Sequence, residues 1–511
     1  MENLEQQASV LFAKKEYEKA LEIYTLLFQG NPKNENYAIF CGNCHDSLGN
    51  KEKAAEFYEN ALKINKKSET ALLNMSTINY EIGNYDEAED YAQQVLKINP
   101  KNVAAWQNLG NISFCRADYE HALSYYQEMY QNNPNSYIAM VNLANTYFSL
   151  GKYVLALDFA KKSLVKIPSS VVANMIAGNS LSEMGKYAKA ITYFGAAYEL
   201  DENNIDAVNA LSDAYRYLSE WESCMGCAWK YIKKCGDESS TANLNFGYLL
   251  YECYSEHDEE LAKKYAEKWL KRFPENKIAQ HMGNAIVNGK ALQNSDEEYI
   301  KVTFDSFAKD FDSTLAGLEY QAPDLICEEL KKHIKTSIFT KYHILDLGCG
   351  TGLCGEKIKK FASFRGLIGV DLSEKMLEQA EAKEIYSQLV CDDLCHYLET
   401  SGYLFDVMVA SDVWTYFGDL TKAFVRVSKS LTPDGVFVFT VSENFVNNDD
   451  FYMVPSGRFV HTANYVERVL KSSGLKMLGC ERKILRNEAE QPVYGYVIAA
   501  KKPNLSQKPV A

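Results

Sequence analysis

The sequence contains no long apolar run and no excess of positive charge. No apolar segment approaches the roughly 18 residues that a membrane-spanning helix needs, so we expect no membrane segment. The first ten residues, MENLEQQASV, lack the positive region and apolar stretch of a secretory signal, so we expect none. With 54 Lys and Arg against 68 Asp and Glu, the net charge of −14 argues against a nucleic-acid partner or an anionic membrane surface.

A disulfide framework is also missing. The 13 cysteines are odd in number and scattered, which fits a reducing compartment, so we expect a cytoplasmic protein. The 511 residues are too many for one hydrophobic core, so two or more domains are expected.

The first half of the chain repeats with a period of about 34 residues. Alanine recurs at Ala20, Ala54, Ala88, Ala122, Ala156 and Ala190. Small residues recur at Ala8, Gly42, Ser76, Gly110, Ala144 and Gly178. Most units have a tyrosine three residues before the alanine, and four close on proline: Pro32, Pro100, Pro134 and Pro168. The pattern predicts stacked helical hairpins, with small residues where helices cross and proline ending the second helix.

This pattern resembles the tetratricopeptide repeat (TPR), which has small residues at the same two positions. The resemblance covers residues 1–290 and implies an α solenoid of about eight repeats. The last two repeats, which contain Trp221, Trp229 and Pro274, are irregular.

Asparagine recurs at two positions of the first helix of the repeats: at Asn74, Asn108 and Asn142, and at Asn43, Asn111, Asn145 and Asn179. The two positions are three residues apart and share one helix face, which in TPR proteins lines a groove. Stacked carboxamides can hold an extended peptide backbone, and O-linked N-acetylglucosamine transferases carry a similar ladder. No glycosyltransferase domain is found in this sequence. We therefore expect a protein or peptide ligand in the groove; the alternative is a solvated polar face.

Two cysteine patterns resemble cofactor sites, but we interpret them as helix packing. CGNCH (41–45) matches a haem-attachment motif, yet Gly42 occupies the small-residue position of a repeat. Cys224 and Cys227 have no second pair with which to bind zinc. We expect neither haem nor zinc, nor any other metal.

From about residue 298 the period is lost and short apolar runs alternate with helical segments. HILDL (343–347), GLIGV (366–370), SQLVC (387–391), FDVMVA (405–410) and GVFVFTV (435–441) read as strands. This alternation predicts an α/β domain with a mostly parallel sheet. GLKMLGCERKIL and VYGYVIAAKK, joined by the polar stretch RNEAEQP, predict a terminal antiparallel hairpin.

A glycine-rich turn follows the first of these strands. Residues 350–355 satisfy the dinucleotide pattern G-x-G-x-x-G, but Asp346 begins the longer run DLGCGTG. That run resembles the D/E-x-G-x-G-x-G motif of class I S-adenosylmethionine (SAM) methyltransferases, which have a Rossmann-like fold. An acid about twenty residues on, here Asp371, can bind ribose hydroxyls in both classes. Asp346 before the first glycine, the acidic pair Asp392-Asp393 after the third strand and the reversed final hairpin favour SAM over a dinucleotide.

The resemblance implies a cofactor site for SAM, with a role for each matching residue. Glycines at 348, 350 and 352, around Cys349, would let the backbone approach the methionine part. Asp346 would fix the turn, or the SAM amino group through water. Asp371 would hold the ribose hydroxyls. The residues beside the adenine would be Leu372, Met376, Asp392 or Asp393, and Leu394. The alternative is that the acids cap helices or turns.

The acceptor side is less defined. The segment ASDVWTY lacks the N/D-P-P-Y/F signature of nucleic-acid amino-methyltransferases. Candidate catalytic residues are Tyr416, Arg458, which can clamp a carboxylate or polarise an oxygen, and His461, which can act as a general base. The alternative for Arg458 and His461 is ordering of their loop. Tyr320, with neighbouring aromatic residues, would line the acceptor site and exclude water.

Residues 304–326 and later segments resemble a group of predicted methyltransferases fused to TPR repeats. We expect a TPR superhelix over 1–290, a linker over 291–299, a methyltransferase domain over 300–502 and a tail over 503–511. The first hypothesis is a SAM-dependent methyltransferase whose groove recruits a protein or peptide. The alternatives are a small-molecule acceptor with repeats used for assembly, and a scaffold whose SAM-binding domain is not catalytic.

Overall fold

The computed structural model describes residues 2–290, 292–335, 339–488 and 491–504. The chain forms two compact units, residues 1–227 and 228–511. Part of the predicted linker and most of the predicted tail, namely 291 and 505–511, lie outside the described residues.

The first unit is a series of antiparallel helical hairpins. Its helices are α1 (Glu2–Ala13), α2 (Tyr17–Gly30), α3 (Glu35–Ser47), α4 (Lys51–Ile64), α5 (Glu69–Glu81), α6 (Tyr85–Ile98), α7 (Val103–Cys115), α8 (Tyr119–Asn132), α9 (Tyr137–Ser149), α10 (Tyr153–Lys166), α11 (Val171–Glu183), α12 (Tyr187–Leu200), α13 (Ile205–Tyr217) and the start of α14 (Trp221–Cys235). The tyrosine of the repeat pattern is thus the first residue of α2, α6, α8, α10 and α12. Polar caps begin several first helices; Asn102, for example, accepts from Ala105 N at 2.8 Å.

The size of the residue at the small-residue position is related to the size of the residue that packs on it. Where that residue is glycine, as at Gly110, a tyrosine or phenylalanine ring from the next helix covers it, and a Cβ would collide with the ring of Tyr126. The same pairing joins Gly178 to Phe194. In the repeats between them the small residue is larger, as at Ala144, and the packing partner shrinks to Ala160. In these three repeats a larger residue at the small-residue position is therefore offset by a smaller packing partner.

The second unit begins with helices and continues as an α/β domain. Its helices are α15 (Ser240–Glu256), α16 (Glu259–Arg272), α17 (Asn284–Val287), α18 (Glu297–Phe307), α19 (Phe311–Gly317), α20 (Ala322–His333), α21 (Leu353–Lys359), α22 (Glu374–Glu381), α23 (Leu394–Thr400), α24 (Thr421–Ser430) and α25 (Ala463–Ser472), with a π-helical turn at Ala279–Gly283 and a 3-10 turn at Trp414–Tyr416. Its strands are β1 (Lys341–Leu347), β2 (Ser363–Asp371), β3 (Gln388–Cys391), β4 (Phe405–Ala410), β5 (Leu431–Ser442), β6 (Phe451–Met453), β7 (Phe459–His461), β8 (Lys476–Glu488) and β9 (Gln491–Lys501).

Seven strands form one sheet in the order β3-β2-β1-β4-β5-β9-β8. The first five are parallel, while β9 runs antiparallel to β5 and to β8. Apolar side chains fill both faces of the sheet, around Trp414 on one side and Ile326 on the other. The predicted fold class, an α solenoid followed by an α/β domain with a terminal antiparallel hairpin, is confirmed.

The α15–α16 hairpin belongs to the same compact unit as the sheet. Trp269 donates to Asn243 at 3.0 Å inside the hairpin, and His281 in the π-helical turn contacts the Gly457 carbonyl at 2.7 Å. His281 also stacks on Tyr299 of α18, with ring centroids 3.9 Å apart. The predicted domain boundary at 290 stays a prediction. Nowhere in the described ranges is a helix both long and apolar enough to cross a bilayer.

Candidate functional site

The glycine-rich turn leaves the carboxyl end of β1 in a conformation that only glycine adopts easily. Gly348, Gly350 and Gly352 all have positive φ, at 62°, 54° and 89°. A Cβ on Gly348 would also collide with Val413, whereas a Cβ on Gly350 would have no atom closer than 3.9 Å, from Phe311. Open space therefore lies over the middle of the turn.

Asp371 ends β2 and points its carboxylate at this turn. Gly350 N donates to Oδ2 at 2.8 Å and Ser373 N donates to Oδ1 at 3.0 Å. Burial raises the pKa of Asp371, and these amides oppose the rise. Each oxygen accepts one of these backbone hydrogen bonds, so lone pairs remain for hydroxyl groups of a ligand.

The two acids that follow β3 have different surroundings. Asp392 contacts His396 Nδ1 at 2.8 Å and accepts from Asp393 N at 2.9 Å. Asp393 caps α23 by accepting from His396 N at 2.9 Å and also lines the main cavity, together with Leu394. Asp393 is thus both a helix cap and a candidate ligand-binding group.

Asp346 lies beneath the turn, fully enclosed. Tyr386 donates to its Oδ2 at 2.7 Å, while Oδ1 is buried with no hydrogen-bond partner in the described structure. Burial raises the pKa of Asp346 to about 7, against the Tyr386 hydrogen bond, which lowers it. The geometry gives Asp346 a role in supporting the turn from below.

One cavity of about 700 Å³ joins the glycine-rich turn to Tyr416 and Arg458. The predicted site residues that line it are Tyr320, Gly348, Cys349, Gly350, Asp371, Leu372, Asp393, Leu394, Tyr416 and Arg458. The predicted site residues outside the lining are Asp346, Gly352, Met376, Asp392 and His461. Met376 is a fully buried residue of α22, so its side chain packs in the core.

A helical lid, α18 and α19, covers the part of the cavity next to the glycine-rich turn. Asp312 of α19 accepts from Lys383 at 2.8 Å and from the Thr351 hydroxyl in the glycine-rich turn. Asp305 of α18 accepts from Ser373 Oγ at 2.6 Å. These bonds hold the lid over the turn and leave its phenylalanine rings in the lining.

His461 lies outside the cavity. It is fully buried in β7, and its Nε2 contacts the Gly418 carbonyl at 3.1 Å. Burial lowers its pKa to about 4, against the carbonyl contact, which raises it. The ring stacks on Tyr465, with centroids 6.0 Å apart. This position favours the loop-ordering alternative over a general base.

Several lining residues were missed by sequence reasoning. Arg486 and Glu488 lie at the end of β8, in the polar stretch RNEAEQP that was expected to join the two strands of the hairpin. The strand extends into this stretch, where Arg486 pairs with Val493 of β9. Asp412 follows β4. Tyr248 comes from α15, far away in sequence. The recurring pattern of the repeats gave no signal for a residue that points into the α/β domain.

The asparagines of the first unit fall into two groups. Asn43 accepts from the Tyr58 hydroxyl at 2.8 Å and from Asn74 at 2.9 Å. Asn111 accepts from Tyr126 at 2.7 Å. Asn108, which is buried, donates to Ser76 and Thr77, both at 3.1 Å. These side chains are held by residues of their own or a neighbouring repeat.

Asn142, Asn145 and Asn179 are half-buried and make no side-chain hydrogen bond to any residue that the structure describes. The reason lies on the following helix. Where Asn43 and Asn111 meet a tyrosine hydroxyl, the equivalent residues opposite Asn145 and Asn179 are Ala160 and Phe194.

The cysteine motifs are packed in helices. Cys41 and Cys44 are buried in α3, and burial raises their pKa values to about 11 and about 12. Cys224 is buried in α14. Within the described part of the chain, no group of three or more His, Cys, Asp or Glu side chains is placed to hold a metal ion.

Known families match both halves of the chain. A family model described as a methyltransferase domain matches residues 345–439. A model for the tetratricopeptide repeat matches residues 49–112, and one for anaphase-promoting complex (cyclosome) subunit 3 matches residues 116–197. The chain carries a methyltransferase domain together with tetratricopeptide repeats. The predicted combination of families is confirmed.

Curated relatives match the methyltransferase domain over part of their length. The chain is 27% identical over 141 residues to the biotin biosynthesis bifunctional protein BioHC of Saccharophagus degradans, which covers 27% of this chain and 24% of that protein. It is 28% identical over 148 residues to the putative methyltransferase YqeM of Bacillus subtilis, which covers 28% of this chain and 56% of that protein. The chain thus spans between about a quarter and about half of these relatives.

Among solved structures, YrrB, described as a TPR protein with an unusual peptide-binding site, is 21% identical with a TM-score of 0.33. The match covers 37% of this chain and 96% of that chain. A likeness this weak says nothing about what the repeats of this chain bind.

Proposed function

We propose that the C-terminal unit transfers a methyl group from SAM to an acceptor bound in the same cavity. The observation that carries this proposal is the continuity of the cavity, which runs from Gly350 and Asp371 to Tyr416 and Arg458. A cofactor half and an acceptor half that share one space can bring two reactants into line.

The residues of the cofactor half fit SAM. Asp371 can accept from both ribose hydroxyls, and Gly350 leaves space for the methionine part. Asp393 and the backbone of Leu394 can bind the adenine edge. When bound, SAM supplies a methyl group on a positively charged sulfur, which is open to in-line displacement.

On the acceptor side, residues of the chain orient the acceptor and exclude water from it. The lid excludes water while Asp312 and Asp305 hold it in place. Burial raises the pKa of Tyr416, although Arg458 opposes the rise, so the phenol keeps its proton at neutral pH and donates hydrogen bonds. Alignment and exclusion of water supply most of the expected acceleration.

Calorimetric titration with S-adenosylhomocysteine, the product of SAM, tests this function directly. We expect micromolar binding to the full-length protein, and no binding of NADH as the control ligand. Absence of S-adenosylhomocysteine binding by folded protein would reject the cofactor assignment and leave the repeats as the functional part.

A small-molecule acceptor is the candidate that the enclosed cavity favours. The lid helices and α15 both contribute walls, which suits a compact acceptor of the size that a pocket of this volume holds. A protein acceptor would have to present a single side chain through the opening.

For the repeats, we propose that Asn142, Asn145 and Asn179 bind an extended protein segment. Their carboxamides can each donate to and accept from a peptide backbone, and no neighbour in the described structure uses them. The asparagines that bind tyrosine hydroxyls are assigned to stability instead.

Replacing Asn142, Asn145 and Asn179 with alanine should weaken peptide binding by about tenfold or more, because several backbone hydrogen bonds of about 1 kcal/mol each are lost. Peptides selected by display on the wild-type repeats serve as the probe, and fluorescence anisotropy gives the affinity. The matched control is Asn111→Ala, which removes the acceptor for buried Tyr126 and should lower stability by about 1–2 kcal/mol without changing peptide affinity. Equal affinity of the triple variant and the wild type would mean that these asparagines form only a polar face.

A further inference from the structure

Four charged side chains form a continuous row along the acceptor half of the cavity. Arg486 Nη1 donates to Asp412 Oδ2 at 2.6 Å, and Arg486 Nε donates to Glu488 Oε1 at 2.7 Å. Arg458 Nη1 donates to the same oxygen of Glu488. Positive and negative charges alternate, so the row is neutral before any acceptor binds.

The two arginines differ in how much of their hydrogen-bonding capacity is used. The Arg486 side chain is only 3% exposed and bridges two carboxylates. The Arg458 side chain is 31% exposed and has one carboxylate partner, Glu488. No other carboxylate or carbonyl among the described residues accepts from Arg458. The Tyr416 hydroxyl is also close enough to accept a hydrogen bond from Arg458, so two of the five N–H donors are engaged and the free donors remain for a ligand.

Four tyrosines of the cavity lie near Arg458. Tyr248, Tyr251, Tyr299 and Tyr416 all line the cavity. Burial raises the pKa of each phenol, to about 12 for Tyr248, and the positive charge of Arg458 opposes the rise in all four. All four are near enough to Arg458 to feel its charge, and all are neutral at physiological pH. They can therefore donate hydrogen bonds beside it.

This surface suits an anion better than a cation. A cationic acceptor would be repelled by the positive charge of Arg458, while the nearby carboxylates, Glu488 and Asp412, are already paired with arginine. The remaining acids of this half, Glu252 and Glu256, stand in the last turn of α15. Glu256 is exposed to solvent and lies 3.7 Å from His257, where its charge is screened.

We propose that the acceptor carries a carboxylate, which the free donors of Arg458 bind together with hydroxyl donors from Tyr248 and Tyr416. This inference rests on the proposed methyltransferase function and names its substrate class. Guanidinium and carboxylate match as two parallel hydrogen bonds, which fixes the orientation of the acceptor as well as its charge.

The inference also gives α15 a specificity role. Tyr248 and Tyr251 lie on a helix that the sequence pattern assigns to the repeats, yet they line the same cavity as Asp371. A fragment that starts after this helix would lack one wall of the acceptor site. The test therefore uses the full-length protein.

The probe is phenylacetate, titrated calorimetrically into protein saturated with S-adenosylhomocysteine. Phenylacetamide is the neutral control of the same shape, and phenethylamine is the cationic one. We expect phenylacetate to bind at least about tenfold more tightly than either control. Failure of phenylacetate to bind more tightly, with S-adenosylhomocysteine bound normally, would overturn the carboxylate proposal alone. Failure of S-adenosylhomocysteine to bind would reject the methyltransferase proposal instead.

Variants locate the binding. Arg458→Gln should remove the preference for phenylacetate, and Arg458→Lys should keep only part of it, with S-adenosylhomocysteine affinity unchanged in both. Glu488 retains Arg486 in each variant, so the fold keeps a paired carboxylate. Tyr248→Phe should weaken the binding of phenylacetate. Tyr254→Phe, on the same helix but outside the cavity lining, should leave this binding unchanged. A preference that survives Arg458→Gln would place the carboxylate elsewhere and contradict the proposal.

Discussion

Replacing Asp371 with alanine is expected to weaken S-adenosylhomocysteine binding by about 100-fold or more. Hydrogen bonds from two hydroxyls to one carboxylate are worth about 1.5–3 kcal/mol each, so losing both removes at least about 3 kcal/mol. The variant also frees the amides of Gly350 and Ser373, which the carboxylate now holds. Calorimetry on the full-length protein measures the change.

The control for this prediction is Asp392→Asn. Asp392 is close to Asp371 in the fold, but it pairs with His396 and lies outside the cavity lining. Its replacement should leave the affinity for S-adenosylhomocysteine within about twofold of the wild-type value, since a surface ion pair contributes little. Unchanged affinity in Asp371→Ala, with an unchanged thermal transition, would show that the ribose is not held at this carboxylate.

Much of the solenoid could be predicted because its signals are local. A tyrosine begins each of five second helices, and a proline follows the helix end by two residues, as Pro100 follows Ile98. Capping, turn and packing signals all fall within one repeat, so they recur at a fixed spacing and reinforce one another. The parallel strands were found for a similar reason, because buried strands are continuous apolar runs.

The periodic pattern did not predict the role of each asparagine. The position shared by Asn111 and Asn145 looks equivalent in sequence, yet one side chain is used by Tyr126 and the other faces Ala160. The residue that decides this difference lies fifteen positions after the asparagine. Only the packing of the two helices shows that these positions contact each other. Aligning the repeats hides such differences because it treats them as copies.

The acceptor half was also largely invisible in the sequence. Arg486 and Asp412 are 74 residues apart and meet only after β8 has been added to the sheet. From the sequence alone, Tyr248 is assigned to the repeats. By contrast, Asp371 and the glycine-rich turn were identifiable, because the turn and the strand ends that hold a nucleotide are set by short-range geometry.

Replacing Arg486 with methionine is expected to lower the stability of the C-terminal unit by about 3 kcal/mol. Arg486 is buried and pairs with both Asp412 and Glu488, and removing one partner of a buried ion pair typically costs about 3–5 kcal/mol because a charge is left uncompensated. Glu488 keeps Arg458, so Asp412 bears most of the loss. For a unit of this size the melting temperature should fall by roughly 6–12 °C.

Differential scanning calorimetry with and without S-adenosylhomocysteine measures this effect, since the transition that the ligand raises belongs to the unit that binds it. Arg365→Met is the matched control: its side chain is 58% exposed, and Asp406 keeps the His343 amide at 2.9 Å, so the change should be about 0–1 kcal/mol. Adding Asp412→Leu to Arg486→Met should restore part of the stability, because it removes the unpaired charge. If the double variant were less stable than Arg486→Met, packing of the arginine side chain rather than its charge would account for the loss.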